Sequence, residues 1–349
     1  MKKTKLKIAQ IAPLVERVPP KKYGGTERIV YSLTEQLVKR GHDVTLFATG
    51  DSETAAKLVS VYPRALREAK MFDPHGLNEW SLLHIANAYK RQSEFDIIHD
   101  HNSIFSLPTA QFAKTPVVIT LHGSINLNNR RLYETVTTPY YVSVSKQQTL
   151  HVPRLKVSDT IYNGLPMTDY PFNTTHKDYL LFVGRISMEK GLHLAIDAAN
   201  DLNLPLIIAA KLDDTNIDYF RDYIEPRLYG EQIRWIGEVD QKQRNELMSN
   251  AMCFLHPVTW REPFGLTLIE AMACGCPVVA FNKGSIPEII KDSKTGFVVN
   301  DLEEMIEAIT KINQIDRSKC RRYALKNFND KLMADRYEEL YNRILLEEM

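Results

Sequence analysis

Short runs of apolar and β-branched residues alternate with longer stretches of helical periodicity along the whole 349-residue chain. That alternation constrains the fold more than any other feature, because it is the pattern of parallel sheets with helical crossovers. Strands are expected at 7–11, 44–47, 96–98, 117–120 and 141–144. After the first of these, Ile29, Leu33, Gln36, Leu37 and Arg40 make an amphipathic helix that stops at Gly41, a residue suited to the left-handed position past a helix end. A polar, proline-containing stretch at 163–177 interrupts the pattern, which restarts with strands at 179–183, 206–209, 233–236, 253–255 and 277–280. The expected class is therefore α/β, with two doubly wound Rossmann-like domains at 1–165 and 166–329. The last stretch, 305–346, reads as helical throughout, and its end, about 330–349, could cross back to complete the first domain. Ligands of open parallel sheets bind beyond the carboxyl ends of strands, so two such domains facing each other would line a cleft with strand-end loops.

Composition removes several classes. With 44% hydrophobic and 25% charged residues, disordered and collagen-like chains are excluded. Forty-four basic against 43 acidic residues leave a net charge of +1, so no global field recruits nucleic acid. Cys253, Cys274, Cys276 and Cys320 form no C-x-x-C pair and read as reduced thiols of a cytoplasmic protein, not as a zinc site. The basic start is followed by an apolar stretch broken by Gln10 and Pro13, which reads as a first strand rather than a signal peptide. No run approaches the roughly 18 apolar residues of a membrane span, although a lipid-borne acceptor could bring the protein to the inner face of a membrane. Neither G-x-G-x-x-G after the first strand nor G-x-x-x-x-G-K-[ST] occurs, so a bound phosphate needs other means.

Two segments offer those means. In LLFVGRISMEKGLHL, at 180–194, an apolar strand runs into Gly184 and Arg185, and Lys190-Gly191 opens an amphipathic helix. A strand-to-helix turn presents unpaired amides and the positive end of the helix dipole, and the two cations could grip one diphosphate. The alternative, two solvated surface charges, has about even weight on this segment alone. In HPVTWREPFGLTLIEAMACGCPVV, from His256, Glu262 precedes a helix expected to begin near 264–266, with Glu270 inside it. The amides of Phe264, Gly265, Leu266 and Thr267 would face a ligand, and Gly265 removes a side chain from their path. Glu262 could accept from sugar hydroxyls and Glu270 from a ribose diol. A plain acidic first turn explains the same spacing slightly better if nothing else is considered.

Together, E-P-F-G-L-T-L-I-E-A-M-A-C-G-C-P-V-V-A and the preceding G-R-I-S-M-E-K-G resemble the signature of family 4 retaining glycosyltransferases, over nearly the whole chain. The resemblance implies a GT-B fold and transfer of a hexosyl group from a nucleotide diphosphate sugar to a hydroxyl acceptor. It assigns Arg185 and Lys190 to the donor diphosphate, Glu262 to the sugar hydroxyls, Glu270 to the ribose, and Phe264 to Thr267 to backbone contacts. In the first half, PPKKYGGTER resembles the family's glycine-pair loop, with Gly24 and Gly25 near the donor phosphate and acceptor. VVITLHGS puts His122 where the family carries a histidine near the donor sugar. Ser145 resembles a serine opening a helix, for which N-capping is an equal explanation, and Asn163 belongs to an N-G pair at the domain crossing. Asp96, His99 and His101 resemble a fourth-strand signature with a structural or acceptor-side role. Val258, Trp260, Ser285 and Pro166 depart from the usual pattern, and Trp260 adds bulk beside Glu262.

The implied mechanism stabilises the leaving diphosphate with Arg185, Lys190 and a helix N-terminus, so no metal or other cofactor is expected. Same-face attack by the acceptor is favoured over a covalent intermediate on Glu262. A nucleotide-sugar epimerase, or a non-catalytic sugar-nucleotide-binding protein, would use the same architecture.

Overall fold

The computed structural model describes residues 5–69 and 74–348, with backbone alone at 74–77. The chain divides into two compact units: Met1–Pro166 with Asn329–Met349, here the front unit, and Met167–Phe328, the rear unit.

The front unit carries seven strands: β1 (Lys7–Ile11), β2 (Asp43–Phe47), β3 (Lys57–Val59), β4 (Ile97–Asp100), β5 (Val117–Leu121), β6 (Tyr140–Ser143) and β7 (Val157–Thr160). The rear unit carries six: β8 (Leu180–Arg185), β9 (Leu206–Lys211), β10 (Ile233–Trp235), β11 (Cys253–His256), β12 (Val278–Phe281) and β13 (Gly296–Val299). The sheets run β3-β2-β1-β4-β5-β6-β7 and β10-β9-β8-β11-β12-β13. Every pairing between these strands is parallel. Each sheet is doubly wound, as the alternating pattern requires, and each reverses its strand order once. The switch points lie between β1 and β4 in front and between β8 and β11 in the rear. The residues just past those strands are where a ligand of this architecture sits.

Local sequence explains the elements. β4, β5, β11 and β12 are buried at every position; β5 and β12 read as apolar runs with at most one threonine, while β4 and β11 turn polar at their carboxyl ends, at His99-Asp100 and His256. Helix Gly25–Lys39 ends as expected: Gly41 takes φ +92°, its N–H donates to Val38, and His42 N–H donates to Leu37. Three strands have no forerunner in the sequence reading. β3, β7 and β13 are edge strands of three or four residues, half-exposed or mixed in burial, too short to declare themselves by periodicity. The strand expected at 96–98 lies slightly later, because Asp96 instead accepts the Lys7 N–H at 2.7 Å.

The continuous helix expected at 305–346 is overturned. Three helices occupy the stretch, Leu302–Thr310, Arg317–Asn327 and Asp330–Glu347, and the second and third each begin at a capping residue. Asp316 accepts from Ser318 and Lys319, and Asn329 accepts from Leu332, both in extended backbone that a helix cannot pass through. Helix Asp330–Glu347 belongs to the front unit and packs beside helix Gly25–Lys39. Where the chain re-enters that unit, Leu165 pairs with Asn329, and a Cβ on Gly164 would stand 2.2 Å from the Asn329 carbonyl. All four cysteines are buried free thiols. Among the described residues no helix is long and apolar enough to cross a membrane.

Candidate active site

In the rear unit, β8 ends at Arg185 and one short 3-10 turn, Met188–Lys190, leads through Gly191 into helix Leu192–Asp201. Gly191 is dictated by the fold: its φ is +70°, and a Cβ would meet the Pro257 carbonyl at 2.1 Å. That close approach seats the exit of β11 against the exit of β8. Thr259 N–H donates to the Glu189 carbonyl across the same gap. Lys190 is thereby brought to Glu262, 72 residues away in the chain, at the switch point of the sheet, while Arg185 ends β8.

Glu262 is 7% exposed. Its Oε2 accepts from Lys190 Nζ at 2.7 Å and from Trp260 Nε1 at 3.1 Å, and His256 Nε2 stands 3.6 Å away. Burial pulls its pKa upward, but the Lys190 charge and the His256 ring outweigh that and hold it at about 2. The Lys190 ammonium also lies 4.8 Å from the centre of the Trp260 ring. Trp260 is thus a polar and a cation–π partner as well as added bulk. Arg185 is less enclosed and donates to Glu189 Oε1 at 3.1 Å, a carboxylate also held by the Ser187 hydroxyl. Both expected diphosphate cations are thus engaged by carboxylates.

Helix Leu266–Ala273 starts where expected. Gly265 is its N-cap with φ +85°, and Leu268 N–H closes the first turn on the Gly265 carbonyl. The amides of Leu266 and Thr267 precede that first bond. Gly265 also has a local reason to be glycine: its left-handed φ of +85°, with a Cβ there standing 2.7 Å from Leu268 Cδ1. Gly184 is the opposite case. A Cβ there would find only the Phe182 ring at 3.8 Å, ordinary contact, so packing does not require this glycine. Phe264 is 3% exposed and packs edge-on against Phe328. Glu270 is 1% exposed and accepts from Arg244 Nη2 at 2.9 Å. Ser285, which departs from a glycine, donates to the Phe264 carbonyl at 2.9 Å, and Gly284 beside it leaves room for the backbone of Glu262.

In the front unit, Gly24 and Gly25 follow β1 at the other switch point, whereas His122, Ser145 and Asn163 lie past the ends of β5, β6 and β7. Gly24 caps helix Gly25–Lys39 with φ +148°, and a Cβ there would meet Pro20 at 2.7 Å and the Glu27 carboxylate at 3.1 Å. Its absence of a side chain is therefore already required by the loop. Glu27, 5% exposed, lies beneath that loop with its pKa raised to about 7, mainly by burial and further by Glu16. His122 follows β5 directly and is half-buried, bonded through Nε2 to His101 Nδ1 at 2.8 Å. Ser145 opens no helix: residues 144–150 form bends and turns, and its hydroxyl accepts the Gln148 N–H at 3.2 Å. That is a capping contact on a turn, so the capping explanation accounts for it. Asn163 is buried, three residues past β7 and beside the Gly164–Asn329 contact.

The sequence reading missed His256, Glu189, Arg244 and Glu27. Glu189 was visible in M-E-K-G, one place before Lys190. The others depend on contacts across the chain that no local pattern announces.

The comparisons with known proteins agree with this geometry. Residues 23–165 match the family model described as Glycosyltransferase Family 4, and residues 170–327 match that described as Glycosyl transferases group 1. Spore coat protein SA of Bacillus subtilis is 24% identical, over 97% of this chain and all of its own length. Among solved structures, the sucrose-phosphate synthase of Thermosynechococcus elongatus superposes with a TM-score of 0.81 at 18% identity, covering 98% of this chain and 99% of that one. HepE of Anabaena, in complex with UDP and glucose, gives 0.75 at 19%, covering 97% and 100%. Two family models that together span both units, on two doubly wound parallel sheets, place the chain among the family 4 glycosyltransferases with the GT-B fold.

Proposed function

We propose that this glycosyltransferase is retaining, needs no metal, and moves a hexosyl group from a nucleotide diphosphate sugar to a hydroxyl acceptor in the cytoplasm. The observation that carries the reading is the pairing of Lys190 with Glu262 beside Gly265, the cap of helix Leu266–Ala273, with Arg185 closing the neighbouring strand β8. A leaving diphosphate gains negative charge as the anomeric bond breaks, and two cations with the amides of Leu266 and Thr267 oppose that charge. An ammonium has three protons and Glu262 takes one, so Lys190 can hold its carboxylate and a phosphate oxygen together. Both bonds to Glu262 fall on Oε2, and Oε1 is the oxygen that accepts from sugar hydroxyls. Glu270, oriented by Arg244, takes the ribose diol. The resemblance assigns His122 to the donor sugar, and Gly24 and Gly25 to the donor phosphate and the acceptor.

A carboxylate held at about pKa 2 by the Lys190 charge and the His256 ring is a weak nucleophile, which argues for same-face attack, with the departing phosphate accepting the acceptor's proton. The UDP and glucose held by HepE, on the same fold, suit a nucleotide-sugar donor. Buried reduced thiols suit a reducing compartment. The epimerase and binding-protein readings have no comparison in their favour.

The test is thermal unfolding with UDP-, GDP- and ADP-sugars. A donor at 100 times its Kd adds about 2.7 kcal/mol. The stabilising donor is then offered to hydroxyl acceptors with and without EDTA. The expected product keeps the donor's anomeric configuration, and EDTA leaves turnover unchanged. Stabilisation by none of the donors removes the reading, and isomerisation of donor alone makes the protein an epimerase.

A further inference from the structure

Four polar side chains from three adjacent strand ends form an unbroken hydrogen-bonded chain inside the front unit. His122 Nε2 meets His101 Nδ1 at 2.8 Å, and His101 Nε2 meets Gln10 Oε1 at 2.8 Å. The Gln10 amide nitrogen turns the other way, to His99 Nδ1 at 3.3 Å and the Tyr341 hydroxyl at 3.4 Å. His99 is also held by Tyr341 at 2.6 Å and by Thr120 at 2.7 Å, and Thr120 reaches the Tyr337 hydroxyl at 2.8 Å. Gln10 and His99 are wholly buried and His101 is 2% exposed. So dense a polar network in a parallel-sheet interior has a cost that only complete pairing offsets.

Burial holds all three imidazoles neutral, with His99 and His101 well below the ordinary histidine range and His122 at about 4. A neutral imidazole has one N–H and one lone pair, so each bond dictates the next. The Gln10 carbonyl only accepts, which puts the His101 proton on Nε2 and leaves a lone pair on its Nδ1. The bond to that lone pair puts the His122 proton on Nε2. His122 Nδ1 is then bare, at the open end of the chain, and among the described residues it has no partner.

We propose that Gln10 and His101 are positioning residues that hold His122 as its Nε2–H tautomer, so that Nδ1 is a hydrogen-bond acceptor for a sugar hydroxyl. The purpose rests on the function proposed above; the tautomer does not. A ring presenting an N–H in that place could not accept from a hydroxyl. The side chain of Gln10, in the strand beside His99, thereby sets what His122 can recognise.

The experiment labels the histidine ring nitrogens of the full-length protein with ¹⁵N and correlates them with the carbon-bound ring protons by NMR. His122→Ala identifies the His122 signals. The expected result is a proton on Nε2 of both His101 and His122. His101→Asn places a carbonyl near the position of Nδ1 and should keep the single tautomer, whereas His101→Leu, of similar size, should shift the His122 nitrogens toward a mixture. A His122 proton on Nδ1 in the unaltered protein overturns the proposal, as do folded Leu and Asn variants with identical His122 shifts. The unaltered protein alone decides the tautomer if the Leu variant does not fold. Adding the sugar nucleotide that most stabilises the protein should then move the Nδ1 signal. No movement would overturn the placement of His122 at the sugar and leave the tautomer result standing.

Discussion

Glu27 and Glu262 are nearly equally buried, at 5% and 7% exposure, and each lies beside a glycine that caps a helix at its unit's switch point. Their charges differ completely. Glu262 has a lysine at 2.7 Å and the His256 ring at 3.6 Å, and its pKa falls to about 2 despite burial. Glu27 is met by backbone N–H groups and the neighbouring Glu16, while Arg67 pairs with Glu16 at 2.5 Å, and its pKa rises to about 7. Depth alone therefore does not decide the state of a buried carboxylate here; the nearest cation does. The rear mouth is a permanent ion pair, and the front one carries a carboxyl that is neutral below pH 7.

Removing the cation breaks the contrast most severely. Lys190→Ala should lower turnover at least tenfold and, because it strands Glu262, destabilise the protein by about 3 kcal/mol at pH 7. The stability Glu262 gains from its low pKa is complete above its ordinary 4.5 and is lost as pH falls through about 2. In the variant the stranded carboxyl protonates more readily, so denaturant unfolding should show the gap narrowing between pH 7 and pH 4. A gap that does not change with pH would mean the pair contributes no charge interaction.

Glu27→Gln addresses the other member. A raised folded pKa means the contribution of Glu27 is whole below about 4.5 and is lost as pH rises through about 7. The substituted amide cannot ionise, so the variant should be more stable than the parent at pH 8, by up to about 3 kcal/mol, and no more stable at pH 4. Equal unfolding curves at pH 8 would refute the raised pKa. Trp260→Phe is the smallest change. It keeps a ring beneath Lys190 and deletes the bond to Glu262, so a loss of about 1 kcal/mol is expected in thermal unfolding, well short of Lys190→Ala. A loss as large as that of the lysine variant would assign Trp260, not Lys190, the main hold on Glu262.

Much of this was legible beforehand, and the boundary is physical. Fully buried strands announce themselves as apolar runs, and Arg185, Lys190 and Glu262 stand within a few residues of strand ends that those runs locate. The short edge strands β3, β7 and β13 bury too little to leave a periodic trace. Caps such as Asp316 and Asn329 were present in the sequence but masked by the helical composition on both sides of them. Partnerships were the least legible. Arg244 with Glu270, and Gln10 with His101, become neighbours only through parallel crossovers that bring distant strand ends together.

The pairing of Leu165 with Asn329 has a further consequence. Where the chain leaves the front unit and where it returns, its two threads touch, so residues 167–328 form an uninterrupted loop of sequence between adjoining anchor points. Such an arrangement lets a whole module be exchanged between homologous chains at two junctions without rerouting the host. Truncation behaves unevenly for the same reason: trimming the carboxyl terminus would leave the inserted module intact and strip Tyr337 and Tyr341 from the half that the amino terminus begins.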